Sequence, residues 1–252
     1  MIVVRAAAAC AVLLLLQADA RPALASRSLR IEGPFGSGAA QVWILRPQGV
    51  MRSVVVFGHG WKASPPSPAR PWVRQFAPWL EHLVGAGNAV IFPRYQLGGD
   101  VPGPAIVDAY RRGLARGFAL LHASVPVVVM GYSYGATLAV TYAANASRWG
   151  LPRPVAVDAV FPAGLVPGVP MLPLAARVAA LVQVGDRDTV AGRPGAAPVW
   201  AWLAGHARKR YEVVASHDGL VVTHAAPKLS TRVARAAFWA PLDALIAAAR
   251  SR

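Results

Sequence analysis

Residues 126–145, PVVVMGYSYGATLAVTYAAN, constrain the fold more than any other stretch of this 252-residue chain. A β-branched apolar run, Val127 to Met130, meets Gly131-Tyr132-Ser133-Tyr134-Gly135 and passes at once into an alanine-rich segment, Ala136 to Ala144. The run reads as a buried strand and the segment as a helix, so five residues must turn one into the other. A serine at the tip of such a turn is forced into a strained backbone conformation, and the residues two before and two after it crowd each other. Glycine relieves that crowding because it has no Cβ. Gly131 and Gly135 stand at those two places. The turn lifts the Ser133 hydroxyl off the sheet edge, and the helix behind it aims its first N–H groups, including that of Tyr134, at any anion formed on the serine. Ser133 is therefore the candidate nucleophile, and the Tyr134 amide a candidate oxyanion donor.

Strands and helices alternate from residue 53 onward. Buried-strand runs are read at Ser53 to Phe57, Asn88 to Phe92, Val155 to Phe161 (with Asp158 inside it), Arg177 to Val184 (where a helix end passes into strand) and Tyr211 to Ala215. Helical periodicity covers Trp72 to Gly85, Asp108 to His122 and a closing segment, Phe238 to Ala249. This alternation predicts an α/β fold, a mostly parallel, doubly wound sheet with helices on both faces. Ser28 to Glu32 and Ala40 to Leu45, joined across the turn Gly33 to Gly38, predict an antiparallel N-terminal hairpin at the sheet edge. Pro162 to Pro173 holds four prolines and no amphipathic period, so an open cleft without a helical lid is expected. Trp61 and Tyr95 are expected to be exposed on its rim.

In open α/β sheets ligands bind beyond the carboxyl ends of the strands. There the first core strand ends in Gly58-His59-Gly60-Trp61, a bend that lets the Trp61 amide point toward Ser133 as a second oxyanion donor, with His59 as a structural turn residue. A serine hydroxyl needs a base within hydrogen-bond reach and a carboxylate to orient that base. The carboxylates past a strand end are Asp186 and Asp188, and a glycine-started loop leaves its fourth residue, Asp188, freer to reach across. The base candidates are His217, directly after the last strand, and His224, seven residues on. Position alone leaves both open. His82 and His122 fall on earlier helices and His206 on the helix before the last strand, where a histidine is more often structural.

Taken together, Gly58-His59-Gly60-Trp61, Gly131-Tyr132-Ser133-Tyr134-Gly135, Gly185-Asp186-Arg187-Asp188 and His224-Ala225-Ala226-Pro227 resemble the α/β-hydrolase superfamily over roughly residues 40–250. The His-x-Ala-Pro ending and the missing lid are similar to its lidless cutinase-like and dienelactone-hydrolase-like branches. The resemblance implies a serine esterase with Ser133 as nucleophile, Asp188 as acid, His224 as base in preference to His217, and the Trp61 and Tyr134 amides as oxyanion hole. An amide or peptide hydrolase using the same residues, or a non-catalytic binding protein of this fold, are the alternatives.

The first 25 residues differ from the rest. Arg5 precedes the apolar run Ala6 to Leu16, and the small-x-small sites Ala18-Asp19-Ala20 and Ala23-Leu24-Ala25 follow, the pattern of a cleaved secretory signal. Residues 26–252 then form one hydrolase domain, secreted or periplasmic. The single cysteine, Cys10, leaves with the signal, so no disulfide is expected. The formal charge of +15 is spread mostly over arginines without long basic runs, with lysine only at Lys62, Lys209 and Lys228. That excludes a nucleic-acid stripe and allows electrostatic association with an anionic envelope. The partner expected is a small-molecule or polymeric ester. No cofactor or metal is expected, since neither an H-E-x-x-H motif nor a cysteine ligand set is present.

Overall fold

The computed structural model describes residues 29–64 and 71–251. The expected signal, Cys10 and the start of the first expected strand at Ser28 lie outside the described residues, as does most of the proline-rich loop after Lys62. Eight strands form one sheet: β1 (Glu32–Phe35), β2 (Val42–Leu45), β3 (Ser53–Gly58), β4 (Asn88–Pro93), β5 (Val127–Tyr132), β6 (Ala156–Val160), β7 (Ala179–Gly185) and β8 (Lys209–Val214). Their order across the sheet is β1-β2-β4-β3-β5-β6-β7-β8. β1 pairs β2 and β2 pairs β4 antiparallel; every pairing from β4 to β8 is parallel.

Both faces of the inner parallel strands are covered, which is why β3 reads Val-Val-Val-Phe with no polar alternation. Val54 and Val56 join the core on one face, with α2 (Pro104–Leu121), α3 (Tyr134–Asn145) and α4 (Gly192–Trp202). Val55 and Phe57 join the core on the other, with α1 (Ala77–Gly85), α5 (Arg232–Ala234) and α6 (Ala240–Arg250). The chain runs from β3 outward to β4 and then returns to place β5 on the opposite side of β3. That reversal opens the crevice where an α/β sheet takes its ligand, between the turns that follow β3 and β5.

Several boundaries differ from the sequence reading, and proline explains most of them. Glu32 to Phe35, read largely as turn, forms β1; an edge strand tolerates Pro34, whose missing N–H would break a central ladder. Residues 72–85 begin as a 3-10 turn (Trp72–Phe76) and become α-helical only at Ala77, because Pro78 cannot donate into a preceding α-turn and suits a first-turn position. Pro104 does the same at the start of α2, four residues before the expected start at Asp108. The closing helix begins at Arg232, where the Thr231 hydroxyl caps the Ala234 amide. It then passes through a π-helical turn (Arg235–Trp239) into α6. Pro241 leaves the Ala237 carbonyl without its helical donor, and Gln183 Nε2 from β7 supplies one at 3.1 Å. His206 is not helical: it lies in the turn after α4, with Nε2 2.6 Å from the Val178 carbonyl. Between Val160 and Ala179 no helix is inserted.

Candidate active site

Ser133 sits between β5 and α3 with φ 58° and ψ −127°, a region that L residues enter only when the surroundings hold them there. Those surroundings are backbone. A Cβ on Gly131 would lie 2.0 Å from the Gly135 carbonyl oxygen, and one on Gly135 would lie 2.3 Å from that of His59 and 2.4 Å from that of Gly58. The turn after β3 and the start of α3 are therefore in direct backbone contact, and the Ser133 amide is tied to the Val160 carbonyl at 2.9 Å. Tyr134 is the first residue of α3, so its N–H has no intrahelical acceptor. Gly60 completes the approach: a Cβ there would come within 3.3 Å of Ser133 Cβ, which puts the Trp61 peptide beside the serine.

His224 Nε2 lies 2.9 Å from Ser133 Oγ, and His224 Nδ1 lies 2.9 Å from Asp188 Oδ2. A carboxylate only accepts, so Nδ1 carries the proton it donates to Asp188, and Nε2 is left to accept from the serine hydroxyl. The Asp188 side chain is fully buried while His224 keeps a little solvent access. Burial pushes Asp188 up; the His224 hydrogen bond and the amides of Gly192 and Val190 outweigh it and hold the carboxyl below its ordinary range. Those amides reach Asp188 at 3.0 and 2.9 Å, with Ala191 at 3.2 Å, so the start of α4 forms a cradle for the carboxylate.

The other candidates stand apart. His217 is exposed, and its Nδ1 lies 2.9 Å from the Asp218 carbonyl. Asp186 accepts from Ser216 Oγ at 2.5 Å, a bond that holds its carboxyl below the ordinary range. Both shape the loop that carries His224. His217 and Leu220 close a tight bridge, Val222 N donates to Ser216 Oγ, and Arg187 N donates to the Val222 carbonyl. This hairpin folds the seven residues after His217 back over β7. Gly185 permits the crossing, since a Cβ there would lie 2.4 Å from the Val222 carbonyl oxygen.

His59 is buried, stacked 4.2 Å from the Tyr95 ring, with ring nitrogens 2.6 Å from the Gly60 carbonyl and 2.8 Å from that of Arg94. Burial pushes it down to about 4 against the pull of those two carbonyls. It braces the turn and does not face the serine's base. Tyr95, expected on the rim, is fully buried and donates its hydroxyl to the His59 carbonyl at 2.5 Å. Its φ of 55° turns the chain inward just past β4. Trp61 is partly exposed, its Nε1 donating to the Asp100 carbonyl at 2.9 Å. The sequence gives Tyr132 no role of its own. Its ring lies 5.1 Å from that of His224, and its hydroxyl donates to the His224 carbonyl at 2.6 Å. The only signal was its place beside the serine, in a motif whose middle letters vary.

This strand order and serine turn define the α/β-hydrolase fold. Among similar solved structures, esterase B from Lactobacillus rhamnosis superposes with a TM-score of 0.65 at 13% identity, over 88% of this chain and 86% of that one. A carboxylesterase from Lactobacillus plantarum gives 0.61 at 16%, over 85% and 95%. An α/β-hydrolase enzyme from a Medee basin deep-sea metagenome library gives 0.61 at 16%, over 89% and 98%. No family model and no curated protein matches the sequence.

Proposed function

We propose that this chain is a serine hydrolase of carboxylic esters. The observation that carries the reading is the pair of 2.9 Å contacts linking Ser133, His224 and Asp188 in one line. Ser133 Oγ attacks the ester carbonyl carbon while His224 Nε2 takes its proton. The negative charge that develops on the carbonyl oxygen is received by the Tyr134 and Trp61 amides. The bond to the alcohol then breaks, His224 returns the proton to the departing alkoxide, and an acyl-serine remains. Water, deprotonated by the same imidazole, releases the acid and restores the serine. Asp188 fixes the imidazole tautomer and stabilises the imidazolium formed in each half of the cycle. The preference for esters over amides is supported by the neighbours of known name, which are esterases and carboxylesterases.

The reading also includes export through the N-terminal signal and a mature hydrolase domain over residues 26–252, which N-terminal sequencing of the exported chain checks. The activity is tested with p-nitrophenyl esters of increasing acyl length and with a fluorophosphonate probe. Parent protein is expected to label and turn over. Ser133→Ala and His224→Ala are expected to lose at least about 10³-fold in kcat, and His217→Ala less than about 3-fold. Folded parent protein that neither labels nor hydrolyses any ester defeats the proposal, and equal losses in the two histidine variants defeat the assignment of the base.

A further inference from the structure

Isolated apolar side chains on a surface need no explanation, but a set gathered on one edge does. Most of the exposed large apolar residues lie in the segments that leave the carboxyl ends of the parallel strands. Trp61 follows β3, Leu97 and Val101 follow β4, Val190 follows β7 and Val221 follows β8, whereas Leu172 lies toward the opposite edge, just past Pro170, whose carbonyl accepts from Asn145 at the last turn of α3. Ser133 stands at the carboxyl end of β5, on the same edge. Val101 is 83%, Val190 73% and Val221 64% exposed, values that leave whole side chains in water. They border the site directly. Val190 follows Asp188 by two residues and Val221 precedes His224 by three, while the Trp61 indole is tied to the Asp100 carbonyl in the loop that carries Leu97 and Val101. Of the other exposed residues, Val50 lies in the loop between β2 and β3, at the opposite edge, and Val213 lies on the outermost strand.

This edge carries both signs on a chain whose formal charge is +15. Its carboxylates are mostly turned to local hydrogen bonds, Asp100 capping the Leu97 and Gly98 amides, Asp186 holding Ser216 and Asp188 holding His224, while Asp218 is exposed. Arg187, Arg193 and Lys228 are exposed there, and none of them has a carboxylate within ion-pair distance among the described residues. Lys62, beside Trp61, donates its Nζ to Gln75 Oε1 at 2.7 Å, and burial, with the charge of Lys228, pushes it down to about 8.

Resting on the ester-hydrolase reading, we propose that this edge docks on an anionic lipid surface and that the enzyme takes its ester from that surface. A collar of apolar tips around a cleft, with basic side chains among them, matches an interface that is hydrocarbon below and phosphate above. A protein partner seated on the same ring would close the cleft to substrate, whereas a lipid surface delivers substrate into it.

The test separates docking from chemistry. The full chain carrying Ser133→Ala is sedimented with vesicles of phosphatidylglycerol and phosphatidylcholine, or of phosphatidylcholine alone, at low and high salt. Binding is expected to be at least about 10-fold tighter to the anionic vesicles and to weaken with salt. Adding Val101→Ser and Val221→Ser is expected to cost a further 10-fold or more, while Val50→Ser with Val213→Ser changes nothing. In the Ser133 background the pair of collar variants is expected to keep turnover of soluble p-nitrophenyl acetate and to lose turnover of a long-chain ester dispersed in the vesicles. Equal partition of collar variant and parent, or equal binding to both vesicle types, overturns the proposal. Absent turnover of the soluble ester by parent protein defeats the enzymatic reading instead, and vesicle binding by the Ser133→Ala chain still decides the docking.

Discussion

Asp158→Asn is expected to stabilise this protein, and to do so more strongly as pH rises. Asp158 lies in the middle of β6, wholly buried under the closing helix, and neither carboxylate oxygen has a hydrogen-bond partner among the described residues. Burial, reinforced by Glu212 and opposed by Arg210, raises its pKa to about 8. The registers β6–β7 put Asp158 on the same face as Gln183, whose side-chain oxygen also has no donor. The neutral acid is therefore the form the fold accommodates. An unfolded chain releases this proton near pH 4, while the folded one keeps it until about 8. Between those values the folded state binds the extra proton, so stability falls as pH rises, by about 1.4 kcal/mol per unit, and levels off above pH 8. A shift of about four units bounds the total at about 6 kcal/mol, less whatever water and backbone relaxation recover. Asparagine has similar shape and never ionises. Urea unfolding at pH 5, 6.5, 8 and 9 is expected to give a gap between variant and parent of about 1–2 kcal/mol at pH 5 that widens through pH 8 and then holds. Parallel stability curves across that range would refute the reasoning, because they would mean that Asp158 ionises in the folded protein as easily as in water.

Two further substitutions probe the site. Gly135→Ala puts a methyl group against the carbonyl oxygens of His59 and Gly58, both backbone, so it is expected to lower stability by about 3 kcal/mol or to displace Ser133; thermal melting with fluorophosphonate labelling reads both, and an unchanged melting point with full labelling would refute the close approach. Tyr132→Phe removes the donor to the His224 carbonyl and leaves the ring in place; kcat is expected to fall about 10-fold with KM nearly unchanged, and a change confined to KM would mean that the hydroxyl binds substrate instead.

The layers were legible because β3, β4 and β5 are almost wholly apolar on both faces, a pattern that helices on two sides require. The serine turn was legible because Gly131 and Gly135 stand where a Cβ would meet backbone. Choosing between His217 and His224 was not a matter of local pattern. It depends on how residues 216–224 fold back, and that is set by Asp186, Ser216 and Val222, residues with ordinary composition that act through hydrogen bonds across the sheet edge. Tyr95 was misplaced because aromatic residues after a strand often line a cleft, while its left-handed backbone conformation, invisible in the letters, carries it inside. The helix start at Ala77 is later than the periodicity suggests because Pro78, read inside the helix, fits only its first turn, and the start at Pro104 is earlier because that proline, read as loop, opens the helix.

The site is held by backbone more than by side chains. Gly58 and Gly131 each lie against Gly135, Gly60 against Tyr132 and Ser133, and Gly185 against Val222. The first contacts join the turn after β3 to the turn after β5, and the last joins the turn after β7 to the loop after β8; the Tyr132 hydroxyl and the His224 ring bridge the two pairs. Main chain has no rotamers, so within each pair the loops cannot part without moving a strand. Adaptable side chains are confined to the outer rim, where Trp61, Val101, Val190 and Val221 meet solvent. Substitutions on the rim should therefore change which esters reach the serine, whereas substitutions at the glycines should change whether the serine is presented at all.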